Sequence, residues 1–373
     1  MNKVRYGIIG LGVMGTGHAK YLSAGEDPNA VLAAVCDNSP SALEKAEKTF
    51  GVPGFADYKE MYASGLIDAV LIATPHYSHS EMTVEGFKAG LHVLSEKPAG
   101  VYTAQVQEMN DAAAKSDKKF GIMFLMRLYP AFAKVKKLLE DGELGAIKRV
   151  SWVVTDWYRP QAYHNSSPWR GTWDGEGGGL LINQCPHDLD LWQWFFGMPD
   201  SVYAKIAFGK YYDIDVEDEV TAFLSHPGFT GTFIASTGEA PGTNRLEIAG
   251  DMGKLVLTDN AKLEFYRNII SEREYNRTNT SSMAKPECWK CEIPITGENL
   301  AHKAVTRNFS EAVLFDKPLL IPGEEGMKSL QISNAMHLSA WTGSEISLPV
   351  DGDLYYKMLQ DKIKNANRKV FNK

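Results

Sequence analysis

From Val4 to Ile9 the chain is almost continuously apolar. So are Val31 to Cys36, Asp68 to Ala73, Leu91 to Ser95 and Phe120 to Leu125. Runs this short, bounded by turn residues, read as strands buried on both faces. Between them, Met14 to Ser23, Pro40 to Thr49, His79 to Ala89 and Thr103 to Lys115 mix apolar and polar positions as helices do. Strands alternating with helices predict an α/β fold with a doubly wound parallel sheet. Such sheets bind ligands beyond the carboxyl ends of their strands. Gly10, Asp37, Thr74 and Glu96 all fall at those ends.

The pattern changes after about residue 125. Lys134 to Glu140 still reads as a helix. Strand-like runs then follow one another: Ile147 to Thr155, Val202 to Phe208, Glu219 to Ser225, Gly231 to Ser236, Arg245 to Ala249, Lys254 to Leu257 and Lys262 to Tyr266. Successive strands with short turns predict a largely antiparallel sheet in an α+β domain. Helical stretches near His302 to Phe315, Glu324 to Trp341 and Leu354 to Lys364 finish the chain. The expected division is therefore 1–125 and 126–373, with the last helices able to pack back on the first domain. Thr278 to Glu287 is expected to be a mobile loop, and no internal repeat is visible.

Bulk properties narrow the function. The chain has 373 residues, 44% of them apolar, and a net charge of −7. The length suits two domains. The negative balance argues against a nucleic-acid or membrane-surface binder. No apolar run approaches the roughly 20 residues of a membrane span. Met1-Asn2-Lys3-Val4-Arg5-Tyr6 enters a strand at once, which leaves no room for a secretory signal. Four cysteines, Cys36, Cys185, Cys288 and Cys291, are too few for a disulfide scaffold and suit a reducing, cytoplasmic setting. Cys288 and Cys291 have metal or redox spacing, but no second ligand pair accompanies them. They are read as chance spacing in a loop, and no metal is expected.

Gly10-Leu11-Gly12-Val13-Met14-Gly15 follows a strand and opens a helix. That context is what a dinucleotide-binding turn requires. The first glycine makes the turn, the second lets backbone approach the pyrophosphate, and the third allows close helix–sheet packing. The helix amino end then faces the phosphates. Asp37 ends the second strand, where a carboxylate can accept from both ribose hydroxyls and repels a 2′-phosphate. Asn38 and Ser39 follow, with no arginine or lysine to hold that phosphate. The expected cofactor is NAD rather than NADP.

Oxidation of an alcohol needs a base for the hydroxyl proton and a positive group for the developing alkoxide. Lys97, in Glu96-Lys97-Pro98, can supply the charge, with Pro98 restricting the backbone after it. His187 can take the proton, since imidazole titrates near neutral pH. His187 lies in the block Gly177-Gly178-Gly179-Leu180-Leu181-Ile182-Asn183-Gln184-Cys185-Pro186-His187-Asp188-Leu189-Asp190. The glycines let backbone pass close to something, such as a nicotinamide ring. Asn183 and His187 are four apart and would share a face of one helix. Asp190 could orient His187. Trp157, Tyr158, Tyr163, Trp169, Arg170 and Trp173 crowd the preceding segment. Aromatic faces suit sugar C–H faces and arginine suits sugar hydroxyls, although each residue could equally serve packing.

Taken together, these segments resemble the glucose–fructose oxidoreductase/inositol dehydrogenase/rhizopine catabolism family, Gfo/Idh/MocA, over nearly the whole chain. The glycine turn carries the likeness, with Ala73-Thr74-Pro75 and His79, Glu96-Lys97-Pro98, the Gly177 to Asp190 block, and Leu246-Glu247-Ile248-Ala249-Gly250 with Gly253. The resemblance implies a Rossmann domain followed by one built on a large open sheet, whose exposed face commonly pairs subunits. It implies NAD(P)-linked oxidation or reduction of sugars, cyclitols and their derivatives. It places the motif lysine at Lys97, the motif histidine at His187, and a tryptophan–arginine pair beside the nicotinamide at Trp169-Arg170. Many members carry aspartate where this chain has Asn183. An asparagine can hold a hydroxyl but cannot relay a proton, which leaves proton removal to His187.

The expected activity is NAD-dependent oxidation of a secondary ring hydroxyl, with a glucoside 3-OH going to a 3-keto sugar as the favoured case. Lys97, Tyr163, Arg170, Asn183 and His187 would meet the substrate. An inositol dehydrogenase, a glycoside-cleaving enzyme that retains its NAD, and a non-catalytic NAD-binding regulator are the alternatives. A small-molecule substrate and a homo-oligomer formed through the later sheet are the expected partners.

Overall fold

A computed structural model describes residues 3–366. Two compact units divide the chain: Met1–Leu125 with 174–177 and 300–330, and the rest.

The first unit is built on six parallel strands, β1 (Val4–Ile9), β2 (Ala30–Cys36), β3 (Gly54–Phe55), β4 (Ala69–Ile72), β5 (His92–Ser95) and β6 (Phe120–Ile122). Helices α1 (Val13–Ser23), α2 (Pro40–Phe50), α3 (Tyr58–Ala63), α4 (Ser78–Lys88) and α5 (Thr103–Ala114) connect them. Strand order β3-β2-β1-β4-β5-β6 reverses direction between β1 and β4. That reversal opens the crevice in which doubly wound sheets bind ligands. It falls at Gly10 on one side and Thr74 on the other. The strands are mostly apolar because both faces are covered; β4 is wholly buried, and in β1 only Arg5 is exposed. β6 is shorter than its apolar run predicts: a 3₁₀ turn, Leu125–Leu128, takes over.

The second unit carries α6 (Pro130–Glu140), β7 (Ile147–Val154), α7 (Gln161–His164) and a π-helical turn at Leu180–Gln184. Then come α8 (Pro186–Phe196), β8 (Ser201–Phe208), β9 (Glu217–His226), β10 (Phe229–Ser236), β11 (Asn244–Gly250), β12 (Gly253–Thr258), β13 (Lys262–Asn268), α9 (Glu272–Thr278) and β14 (Cys288–Ile293). After α10 (Ala301–Phe315), which lies within 300–330, α11 (Gly326–Thr342), β15 (Ile346–Ser347) and α12 (Gly352–Asn365) follow.

Nine strands form one sheet in the order β14-β13-β12-β11-β7-β10-β9-β8-β15. Every pair is antiparallel except β7 with β10. Alternation in β9 gives the two faces: Val220, Ala222 and Leu224 are buried, Thr221 and Phe223 exposed. α8 covers the buried face, and the Trp192 ring lies so close to Gly231 that a Cβ there would sit 2.3 Å from it.

Cys288 and Cys291 lie in the edge strand β14, not in a loop. Residues three apart on a strand point to opposite faces, so the pair cannot close on one ion. Residues 279–287, most of the stretch expected to be a loop, run without regular structure up to that strand.

Candidate active site

The first unit holds the glycine turn at the sheet's reversal. Gly10 has φ +88°, and a Cβ there would lie 2.7 Å from the Ala73 carbonyl oxygen. A Cβ on Gly15 would fall 1.7 Å from the Gly10 carbonyl oxygen, so α1 packs against its own turn. Gly12 faces open space, which leaves its side clear for a phosphate. Val13 and Met14 are exposed in the first turn of α1. Asp37 accepts from the Leu11 N–H at 2.6 Å and from the Ser39 N–H at 2.8 Å. Its carboxylate is thereby locked against the turn. These residues fit NAD: an open glycine, unpaired amides at a helix amino end, and an anchored acid beside them.

At the end of β4, Thr74 and Pro75 lead into α4. His79 of that helix is buried, with Nε2 2.8 Å from the Thr74 carbonyl oxygen and Nδ1 2.8 Å from that of Pro98. It ties the β4 loop to the segment bearing Lys97. Burial, together with Lys97, pushes this imidazole below the usual histidine range, against the pull of both carbonyls and Glu96.

Glu96 is buried beside Lys97. His18 of α1 bonds its Oε1 at 2.8 Å, His302 of α10 lies 3.9 Å from the same oxygen, and the Lys97 N–H reaches Oε2 at 3.2 Å. His18 therefore joins the cofactor helix to the lysine strand. No local motif marks either histidine: they lie 78 residues before and 206 residues after Glu96, with no shared spacing. Burial raises the Glu96 carboxyl, but the His18 hydrogen bond and charge, then His302 and Lys97, outweigh it and hold it at about 2. A depressed carboxyl stabilises the fold fully above its unfolded value and loses that contribution as pH falls through the folded value. His18→Ala should accordingly move acid unfolding, followed by circular dichroism, to higher pH. An unchanged acid limb would remove this pair from the account.

The second unit carries the other candidates. Cys185 N–H bonds to the Leu180 carbonyl, five residues back, at 2.9 Å. Pro186 has no N–H to continue the α pattern, so the register slips and α8 starts afresh. Asn183 and His187 therefore do not share one helix, contrary to their spacing. Asn183 sits in the π turn, and His187 is buried in the first turn of α8.

The glycines ahead of them are forced by this chain's own packing. Gly178 has φ +151°, and Cβ atoms on Gly178 and Gly179 would lie 2.6 Å from Ile182 and 2.4 Å from the Glu217 carbonyl. Glu217 is buried and was not anticipated. Its Oε1 accepts the N–H groups of Gly179 and Leu181, both at 2.9 Å, and His337 Nε2 lies 3.1 Å from Oε2. One carboxylate thus pins the entry to the π turn. In sequence Glu217 is one acid among Asp213, Asp215, Asp218 and Glu219, which hides it.

Tyr163 gathers the polar groups. Its hydroxyl receives Arg170 Nη1 at 2.5 Å, Asn183 Nδ2 at 3.2 Å and Gln184 Nε2 at 3.3 Å. Arg170 also stacks, with Cζ 4.2 Å from the Tyr163 ring centre and 4.4 Å from that of Trp169. Trp157 donates to Asp188 at 3.3 Å. Trp173 is a packing residue, buried edge-on against His337 and Trp341. Asp190 grips Arg127 through two bonds of 2.7 and 2.6 Å, a buried pair that anchors α8.

Two family models cover most of the chain: the oxidoreductase family with an NAD-binding Rossmann fold over 4–124, and the GFO/IDH/MocA C-terminal domain over 132–256. The chain belongs to the Gfo/Idh/MocA family. Among Gfo/Idh/MocA relatives, the myo-inositol 2-dehydrogenase of Thermotoga maritima is 29% identical over 69% of this chain and 76% of its own length. The levoglucosan dehydrogenase of Pseudarthrobacter phenanthrenivorans is 25% identical over 74% and 79%. The WlbA dehydrogenase of Bordetella pertussis, solved with NADH and UDP-GlcNAcA, is 29% identical and superposes with a TM-score of 0.80 over 94% of this chain and all of that one. This Gfo/Idh/MocA protein is an NAD-linked oxidoreductase acting on CH–OH groups. No described helix is long and apolar enough to cross a membrane.

Proposed function

We propose that the chain oxidises a secondary ring hydroxyl of a sugar, glycoside or cyclitol, with the 3-OH of a glucoside as the favoured position. The Tyr163 hydroxyl carries this reading. Arginine, asparagine and glutamine side chains converge on it beside aromatic rings, a surface that suits a ring with several hydroxyls. The names of the inositol and levoglucosan relatives support the same substrate range.

NAD, when bound, accepts the hydride. Gly10, Gly12, Val13, Met14, Gly15 and Asp37 hold the nucleotide, with Thr74, Pro75 and His79 shaping the neighbouring strand end. Trp169 and Arg170 serve the nicotinamide side. Lys97, fixed by Glu96, steadies the alkoxide that develops as the hydroxyl loses its proton. His187 takes that proton. Asn183, Tyr163 and Arg170 orient neighbouring hydroxyls. The reaction is a cytoplasmic one, carried out by a homo-oligomer paired through the exposed face of the nine-stranded sheet, where Phe223 stands half-exposed.

NADH absorbance with NAD and a panel of inositols, hexoses and aryl glucosides, paired with product analysis, tests the proposal. NADH and a 3-keto product from the glucosides is the expected result. NADH from inositols alone would move the substrate to cyclitols. Altered glucoside without NADH would replace net oxidation by a retained-cofactor cycle, and bound NAD with no chemistry on any class would sink the assignment.

A further inference from the structure

Resting on the sugar-oxidising reading, we infer that the preferred substrate carries an anionic oxygen group, a carboxylate or a phosphate, and that Arg159 with Arg170 selects it. Both guanidiniums border the same ring: Arg159 Cζ lies 5.2 Å and Arg170 Cζ 4.2 Å from the Tyr163 centre. Among the described residues neither has a carboxylate within 4.0 Å. Arg159 meets the Tyr158 carbonyl and the Trp157 ring instead, and Arg170 meets the Tyr163 hydroxyl and the Trp169 ring. On the large sheet, by contrast, Arg149, Arg245 and Lys254 each reach a carboxylate, that of Glu247. Two like charges beside one ring repel each other unless an anion lies with them.

The field of the pair is felt locally. Buried His164, the neighbour of Tyr163, is pushed down to about 4, first by burial and then by Arg170 and Arg159. The protein thus keeps a neutral imidazole where a third cation would otherwise stand. Guanidinium forks match the two oxygens of a carboxylate or the three of a phosphate, which a hydroxyl does not use.

Two measurements keep this separate from the parent reading. Calorimetric titration of the NAD-loaded protein compares glucose, glucuronate, glucose 6-phosphate and methyl glucuronide. NADH formation is followed on the same compounds. An anionic sugar should bind about ten- to a hundredfold more tightly than glucose, the worth of a charge-assisted hydrogen bond. Arg159→Gln should shrink that ratio towards one without changing the affinity for NAD. Preference for glucuronate identifies a carboxylate, and preference for glucose 6-phosphate a phosphate. Equal binding of neutral and anionic sugars, or a loss confined to NAD affinity in Arg159→Gln, overturns the inference even if all of them are oxidised. Selective anion binding without NADH keeps the inference and defeats the oxidation reading.

Discussion

Lys97→Ala is expected to lower kcat by about a hundred- to a thousandfold, the usual cost of one electrostatic stabiliser aimed at developing charge. The affinity for NAD should change little, because the turn at Gly10, Gly12 and Gly15 is built independently of that side chain. Glu96 is buried, receives His18 at 2.8 Å and accepts the Lys97 backbone N–H. Such an anchor fixes the backbone from which the ammonium reaches. Lys97→Arg keeps the charge but not its compact geometry, so it should recover only part of the rate. Single-turnover hydride transfer and NAD titration together separate the effects. Unchanged turnover in Lys97→Ala would end the role assigned to the lysine.

The second large effect is expected at Glu217. Glu217→Ala leaves the N–H groups of Gly179 and Leu181, and the imidazole of His337, facing a buried void. Leaving a buried donor without its acceptor costs about 1–3 kcal/mol, and two backbone N–H groups lose theirs here, so the denaturation midpoint should fall steeply. Glu217→Gln can retain both backbone bonds through its carbonyl oxygen and should stay folded. In folded Glu217→Ala kcat should fall more than KM rises, since the π turn carries Asn183 and leads to His187, whereas Glu217→Gln should keep most of the rate. A folded Glu217→Ala variant with normal kinetics would show that this carboxylate positions nothing that reacts.

These two residues mark where the sequence was legible and where it was not. Lys97 stands in a short motif at a strand end, and the strand-then-helix pattern around Gly10 places the cofactor turn without a structure. All six parallel strands rest on local apolar runs, except β3, whose two residues are too few to make one. Glu217 has no such local signature. Its role comes from meeting the amides of Gly179 and Leu181 across 38 and 36 residues. α8 was equally hard to see, because it is buried nearly all round and so lacks an amphipathic period. The spacing of Asn183 and His187 misled for a local reason: Pro186 interrupts the amide ladder between them. Nothing local marks Cys288 and Cys291 as strand residues, because their strand is largely exposed and owes its form to pairing with β13.

The parallel pairing of β7 with β10 has a consequence for how the molecule is assembled. A sheet made only of hairpins can zip from one turn to the next. Here Arg149 must find Thr230, and Val150 must find Gly231 and Ile248, across intervals of about 80 to 100 residues. The closure entropy of that long excursion has to be met before the pairing returns any stability. The excursion contains Tyr163, Arg170, Asn183 and His187. Chain termination between His187 and β10 would therefore leave every one of these side chains synthesised but β7 without either of its sheet partners.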